Sequence, residues 1–154
     1  MALKNGTQAP DFSLPSTSGE SFQLSKDLAG KPCIIYFYPK NFTNVCTKEA
    51  CDFRDQFAVF RDAEITVLGI SKDDIESHLR FKKEYKLPFE LLSDASGKVC
   101  KAYDALVPLI SIPKRITYLL SAEHKIVASF QDMFSAEQHI RQMISKIAKG
   151  EHLG

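Results

Sequence analysis

The chain is poor in the features that mark several protein classes. Its 154 residues include only four cysteines, at positions 33, 46, 51 and 100, too few and too unevenly placed for the stapled framework of a small secreted domain. No apolar run approaches the roughly 20 residues needed to span a bilayer. The opening Met1-Ala2-Leu3-Lys4-Asn5-Gly6 lacks the apolar core and cleavage pattern of a signal peptide. Neither charge sign dominates, since 20 Lys and Arg face 19 Asp and Glu, and that balance leaves no electrostatic reason for a nucleic-acid or anionic-membrane partner. No repeat, low-complexity tract or long Gly/Pro/Ser linker divides the sequence. The expectation is a single cytoplasmic domain over residues 1–154, with no nucleic acid or membrane as partner. In a reducing compartment, pairing among its thiols is transient and catalytic rather than structural.

What the chain does have is 44% hydrophobic residues, enough to bury roughly two-thirds of the unfolded surface. These are arranged in alternating periods. Pro32 to Tyr38 and Ile65 to Ile70 are continuous apolar runs that predict strands buried on both faces. Phe22 to Leu24 and Phe89 to Leu92 predict short strands, and Ile116 to Leu120 with Lys125 to Phe130 predict a strand pair around a polar turn. Ala50, Phe53, Phe57 and Phe60 recur at helical spacing, predicting one helix from Thr43 to Arg61. Ser71 with Asp74 reads as a capping box for a helix through Ile75, Leu79 and Tyr85 that stops before Pro88. A short helix is expected around Val99 to Tyr103, followed by an apolar loop from Leu106 to Pro113. Ser135 with Gln138 opens a last helix carrying Ile140, Met143, Ile144 and Ile147, closed by Gly150. Strands alternating with helices predict an α/β domain, a thioredoxin-like fold with a mixed central β-sheet flanked by helices.

Cys46 shares the inward stripe of the Thr43 helix, and with Thr43 as N-cap it falls in the first turn. Unpaired backbone N–H groups and the positive end of the helix dipole favour an anion there, and the thiolate is the reactive form of cysteine. On its own, such a residue reads rather as an inert thiol packed like a small hydrophobe, the common fate of buried cysteine. Cys51 stands five residues further on. On an intact helix that spacing separates the Cα atoms by about 8.6 Å, beyond the ~7 Å limit for a disulfide. A bond between the two therefore requires the first turns to unwind. Asn44 and Val45 are modest helix formers, which makes that unwinding inexpensive.

The segment Pro39-Lys-Asn-Phe-Thr43-Asn-Val-Cys46-Thr-Lys-Glu49-Ala-Cys51-Asp-Phe-Arg54-Asp strongly resembles the peroxiredoxins, specifically the bacterioferritin comigratory protein (Q-type) subfamily. The resemblance extends to Gly6-Thr-Gln-Ala-Pro-Asp-Phe-Ser-Leu14 and to Lys114-Arg115-Ile-Thr-Tyr-Leu-Leu120. It implies a thiol peroxidase in which Cys46 is the peroxidatic cysteine and Thr43 donates a hydrogen bond to the peroxide. Arg115 would hold thiolate and peroxide oxygens, Pro39 would shield the site, and Glu49 would orient an arginine. Cys51 would be the resolving cysteine of an intrahelical, atypical two-cysteine arrangement. The implied substrates are hydrogen peroxide and organic hydroperoxides, and the implied reductant is thioredoxin or a similar dithiol protein. No cofactor or metal is implied, and an intramolecular disulfide suits a monomer. The chain departs from the subfamily at Asn44-Val45, where Pro-Gly is usual.

Cys33 and Cys100 read as packed thiols, with Cys100 keeping a minor chance as a second resolver. Arg54 reads as an exposed helix charge. A thioredoxin-type oxidoreductase would want Cys-x-x-Cys, which is absent. The four histidines at 78, 124, 139 and 152 show no zinc-ligand spacing with the cysteines, and Gly69-Ile-Ser71-Lys-Asp lacks the last glycine of a hydrolase elbow. A redox sensor or holdase built on the same cysteines, without sustained turnover, remains the alternative.

Overall fold

A strand whose every residue is apolar must be covered on both faces, and the centre of the fold is built on that requirement. The computed structural model describes residues 2–131; the helix expected from Ser135 to Gly150 lies outside them. A short hairpin, β1 (Ser13–Pro15) and β2 (Ser21–Gln23), leads through a single turn, α1 (Leu24–Asp27), into the central strand β3 (Cys33–Phe37). There follow α2 (Asn44–Asp55), α3 (Phe57–Asp62), β4 (Thr66–Ser71), α4 (Ile75–Tyr85), β5 (Glu90–Ser93), α5 (Lys98–Ala102), β6 (Ile116–Leu120) and β7 (Ile126–Gln131). The main sheet runs β5-β4-β3-β6-β7. Its β3, β4 and β5 are parallel, whereas β6 is antiparallel to both β3 and β7. This is the mixed sheet expected from the strand and helix order.

All five residues of β3 are buried, and they alternate between two cores. Cys33, Ile35 and Phe37 join Leu68, Ile70, Cys100, Tyr103 and Tyr118 on one face. Ile34 and Tyr36, with Tyr38 beyond the strand end, join Cys46, Ala50, Phe53, Phe60, Phe89 and Leu91 on the other. On that second face Tyr36 stacks on Phe53 at 4.7 Å and on Tyr38 at 5.3 Å. Gly69, the register partner of Tyr36, is what makes room for this stack. A Cβ there would lie 2.7 Å from Tyr36 Cζ, closer than non-bonded carbons pack.

Two expected elements differ. The helix from Thr43 to Arg61 is broken at Gln56, where the backbone leaves helical geometry (φ −102°, ψ 9°). The ladder tightens there, with Val59 N donating to Gln56 O three residues back, and Phe57 and Phe60 still reach Phe89 and Phe53. The capping box at Ser71 is not formed, because Ser71 ends β4. Asp74 is itself the N-cap of α4, accepting from Ser77 N at 2.8 Å. The strand β1 and the turn α1 are too short to leave a periodic signal.

Candidate active site

The chain leaves β3 at its C-terminal end, passes through a tight loop over residues 38–43 and enters α2. Open α/β sheets bind ligands beyond the carboxyl ends of their strands, and α2 presents its N-terminus there. Cys46 is the third residue of α2 and is 1% exposed. Glu49, one turn later on the same face, is fully buried. Because β6 runs antiparallel to β3 and pairs Ile116 with Phe37, the residue just before β6 arrives at this same edge. That residue is Arg115, also buried.

The guanidinium bridges the two side chains of α2. Arg115 Nη2 donates to Cys46 Sγ at 3.2 Å, and Nη1 donates to Glu49 Oε1 at 2.8 Å. Burial works against the charge on Arg115, but Glu49 and Cys46 outweigh it and its pKa is raised. Burial pushes the Glu49 carboxyl up to about 7 against the pull of Arg115. Its second oxygen, Oε2, has no hydrogen-bond partner. The N–H groups that meet the sulfur can also meet charge developing on a bound oxygen.

The remaining expected residues lie nearby with distinct environments. Thr43 precedes α2 with extended backbone (φ −82°, ψ 153°), so it is the N-cap residue, but its hydroxyl makes no capping bond. It is exposed and donates instead to Lys40 O at 3.0 Å. Pro39 is half-buried at the bend directly after Tyr38. Cys51 is half-buried and free, on the same intact helix as Cys46. Burial raises its pKa against the opposing charge of Arg54. Arg54 is more than a solvated charge: besides Asp55 at 3.0 Å it donates to Tyr85 O at 2.8 Å, tying α2 to the end of α4.

Cys33 and Cys100 are fully buried in the opposite core, as the packed-thiol reading expects. Burial pushes the Cys33 thiol up to about 12, and burial together with Asp94 pushes Cys100 higher still. Among the described residues no group of three or more His, Cys, Asp and Glu side chains could hold a metal ion, and no helix is long and apolar enough to cross a membrane. A cavity of about 770 Å³ lies at the far, N-terminal edge of β3, β4 and β5, lined by Pro32, Phe57, Ile65 and Phe89, and none of Thr43, Cys46, Glu49, Cys51 or Arg115 lines it. Sequence reasoning missed Asn41, a buried residue of the loop that leads to Cys46, and His78, buried on α4 beneath that loop. Asn41 belongs to no apolar stripe or ligand spacing, whereas His78 stands at helical spacing with Ile75, Phe81 and Tyr85 on the inward face of α4, and that spacing is the signal that could have found it.

The AhpC/TSA family model matches residues 5–129, a span that includes Cys46, Glu49 and Arg115. The chain belongs to that family. Within the family, it is 39% identical over 153 residues to a bcp-type protein of Coxiella burnetii, covering 96% of this chain and 100% of that one. It is 41% identical over 143 residues to a chloroplastic peroxiredoxin Q of Oryza sativa subsp. japonica, covering 92% of this chain; the match spans only 65% of that rice protein's length. The crystal structure of the peroxidoxin BcpB of Mycobacterium tuberculosis superposes with a TM-score of 0.88 at 30% identity, covering 96% of this chain and 97% of that one. The bacterioferritin comigratory protein of Xanthomonas campestris, for which alkyl peroxide reduction activity is described, superposes with a TM-score of 0.81 at 28% identity, covering 90% and 91%. The expected thioredoxin-like fold and the resemblance to Q-type peroxiredoxins both hold.

Proposed function

We propose that the chain is a thiol peroxidase that reduces hydrogen peroxide and organic hydroperoxides with Cys46 as nucleophile. One observation carries the reading: a buried guanidinium, Arg115, joins Cys46 Sγ to Glu49 at the N-terminus of α2. The family membership and the alkyl peroxide chemistry of the Xanthomonas relative support the same substrate class.

In the first step the Cys46 thiolate attacks the terminal oxygen of the hydroperoxide. An S–O bond forms, the O–O bond breaks, and the leaving oxygen takes a proton to depart as water or an alcohol. Sulfur is oxidised to sulfenic acid and the peroxide is reduced. Arg115 holds the thiolate and the oxygens, and Glu49 orients Arg115. Thr43 turns its hydroxyl from Lys40 O to the peroxide, a swap between hydrogen bonds of about 1 kcal/mol net each. Pro39 shields the pocket and offers no N–H of its own. In the second step Cys51 attacks the Cys46 sulfur, a disulfide forms and water leaves. Both cysteines stand on one continuous helix, where their Cα atoms are about 8.6 Å apart, so the first turns of α2 unwind before the ~2 Å bond can close. The disulfide is then reduced by exchange with an external dithiol, for which thioredoxin or a similar protein is the proposed partner.

No second subunit is needed for this cycle, which makes a monomer the simplest assembly, with residues 1–154 as one domain. Four free thiols suit a reducing compartment such as the cytoplasm. The test follows NADPH consumption with thioredoxin, its reductase and hydrogen peroxide. Cys46→Ser should lose all turnover, while Cys51→Ser should consume one equivalent of peroxide and stop. Undiminished turnover in Cys46→Ser would overturn the assignment.

A further inference from the structure

A second buried polar cluster lies beneath the loop that delivers Thr43 and Cys46, and no step of the proposed cycle uses it. Its hub is Asn41, 2% exposed. The Asn41 backbone N–H donates to Asp73 Oδ2 at 3.0 Å. The side-chain oxygen accepts from Tyr38 OH at 2.6 Å, and Nδ2 donates to Ser77 Oγ at 3.1 Å and to His78 Nδ1 at 2.9 Å. His78 is fully buried. Its Nε2 lies 3.0 Å from Leu92 O, and a carbonyl only accepts, so Nε2 carries the proton and Nδ1 is left as the acceptor that Asn41 requires. Asp73 is held in turn by Ser71 Oγ at 2.5 Å, and its carbonyl accepts from Ser93 Oγ at 2.7 Å. One asparagine of the loop is thus tied to α4 and, through Asp73 and His78, to the ends of β4 and β5.

The next residue shows what the anchoring holds in place. Phe42 has φ of 65°, a conformation costly for a bulky side chain and sustained only where the surroundings over-determine it. Its ring packs edge-on against Phe81 of α4 at 5.1 Å. Thr43 then closes the loop on itself through Lys40 O. The position of the Thr43 hydroxyl and of the first turn of α2 therefore follows from a loop clamped to α4, while Arg115 arrives independently from β6.

We propose that Asn41 and His78 are positioning residues for the peroxide step: the neutral imidazole fixes the Asn41 amide, which sets the loop so that Thr43 and Cys46 meet Arg115 in reacting geometry. The proposal rests on the peroxidase reading. The clamp lies before Thr43, so α2 can unwind for the disulfide while the loop stays anchored. Loss of the clamp should therefore slow the reaction with peroxide and spare the closure with Cys51.

The experiment separates the two steps by rapid mixing with hydrogen peroxide: the second-order formation of sulfenic acid and the concentration-independent formation of the disulfide. Asparagine places its amide where a histidine has Nδ1, whereas glutamine reaches the position of Nε2. His78→Asn keeps an acceptor for Asn41 and loses the bond to Leu92 O; His78→Gln does the reverse. Asn41→Ala and His78→Gln should slow sulfenic acid formation roughly 10- to 100-fold, the scale of a misplaced reacting group, with disulfide formation unchanged, and His78→Asn should retain the wild-type rate. Melting curves for all variants accompany the rates. Equal slowing in the asparagine and glutamine variants in step with their loss of Tm, or wild-type rates in all three, would overturn the inference. If wild-type protein itself fails to react through Cys46, the peroxidase reading falls first and the inference with it.

Discussion

Cys46 and Cys100 occupy the same place in two different helices. Each is the third residue of a helix that follows a parallel strand, α2 after β3 and α5 after β5, and each is buried. Their surroundings differ in the sign of one charge. Cys46 Sγ accepts from Arg115 at 3.2 Å. At α5 the carboxylate of Asp94 already occupies the helix start, accepting from Val99 N at 3.3 Å and Cys100 N at 2.8 Å. Burial and then Asp94 push the Cys100 thiol up. A helix N-terminus attracts one anion. At α5 that anion is the carboxylate, so Cys100 stays an inert thiol, whereas at α2 the place is open to sulfur and a cation arrives to hold it.

The largest expected effect breaks the comparison at the sulfur. Cys46→Ser should reduce peroxide turnover to background, and Cys100→Ser should leave it at the wild-type level, read by the thioredoxin-coupled assay. Second comes the cation. Arg115→Lys replaces a fork that spans Sγ and Oε1 with a single ammonium point, and the second-order rate with peroxide should fall about 100-fold, as for loss of a donor aimed at developing charge.

Third is the pH response of Glu49. Its folded pKa is raised to about 7 from an ordinary 4.5, so between those values the native state holds more protons than the unfolded one. Stability contributed by this group is full below pH 4.5 and is lost as pH rises to about 7, on the order of 1–3 kcal/mol. Urea titrations at pH 5, 6, 7 and 8 should show wild-type stability falling relative to Glu49→Gln across that window and levelling above it. The smallest effect belongs to α5: Asp94→Ala should cost about 1 kcal/mol of stability, as for loss of a helix cap, with turnover unchanged, checked by urea denaturation beside the coupled assay.

The expected Thr43 helix shows what a one-dimensional pattern conveys. Its apolar spacing put Cys46 and Ala50 on the inward face, and both are buried there. The same spacing ran past Gln56 because Phe57 and Phe60 continue it, although the backbone breaks at Gln56, before either of them. Ser71 and Asp74 matched a capping pattern, but Ser71 belongs to the sheet, and nothing local marks which of two cap formers starts the helix. Arg115 entered only through the family resemblance, since nothing in its own segment points 69 residues back to a cysteine.

By itself the sequence determined which segments are strands covered on both faces, where the helix bearing Cys46 begins, and that Thr43, Cys46, Glu49 and Cys51 share it. Those are properties of near neighbours, set by side-chain period and backbone geometry. Tertiary structure alone decided which charge meets which sulfur. The antiparallel pairing of β6 on β3 carries Arg115 to Cys46, the fold of β5 into α5 sets Asp94 against Cys100, and the packing of α4 gives Asn41 its histidine. Asp94 and Cys100 stand only six residues apart and meet where the chain turns from β5 into α5, whereas the arginine and the histidine come from distant segments, which a local pattern does not record and which meet only when the fold is assembled.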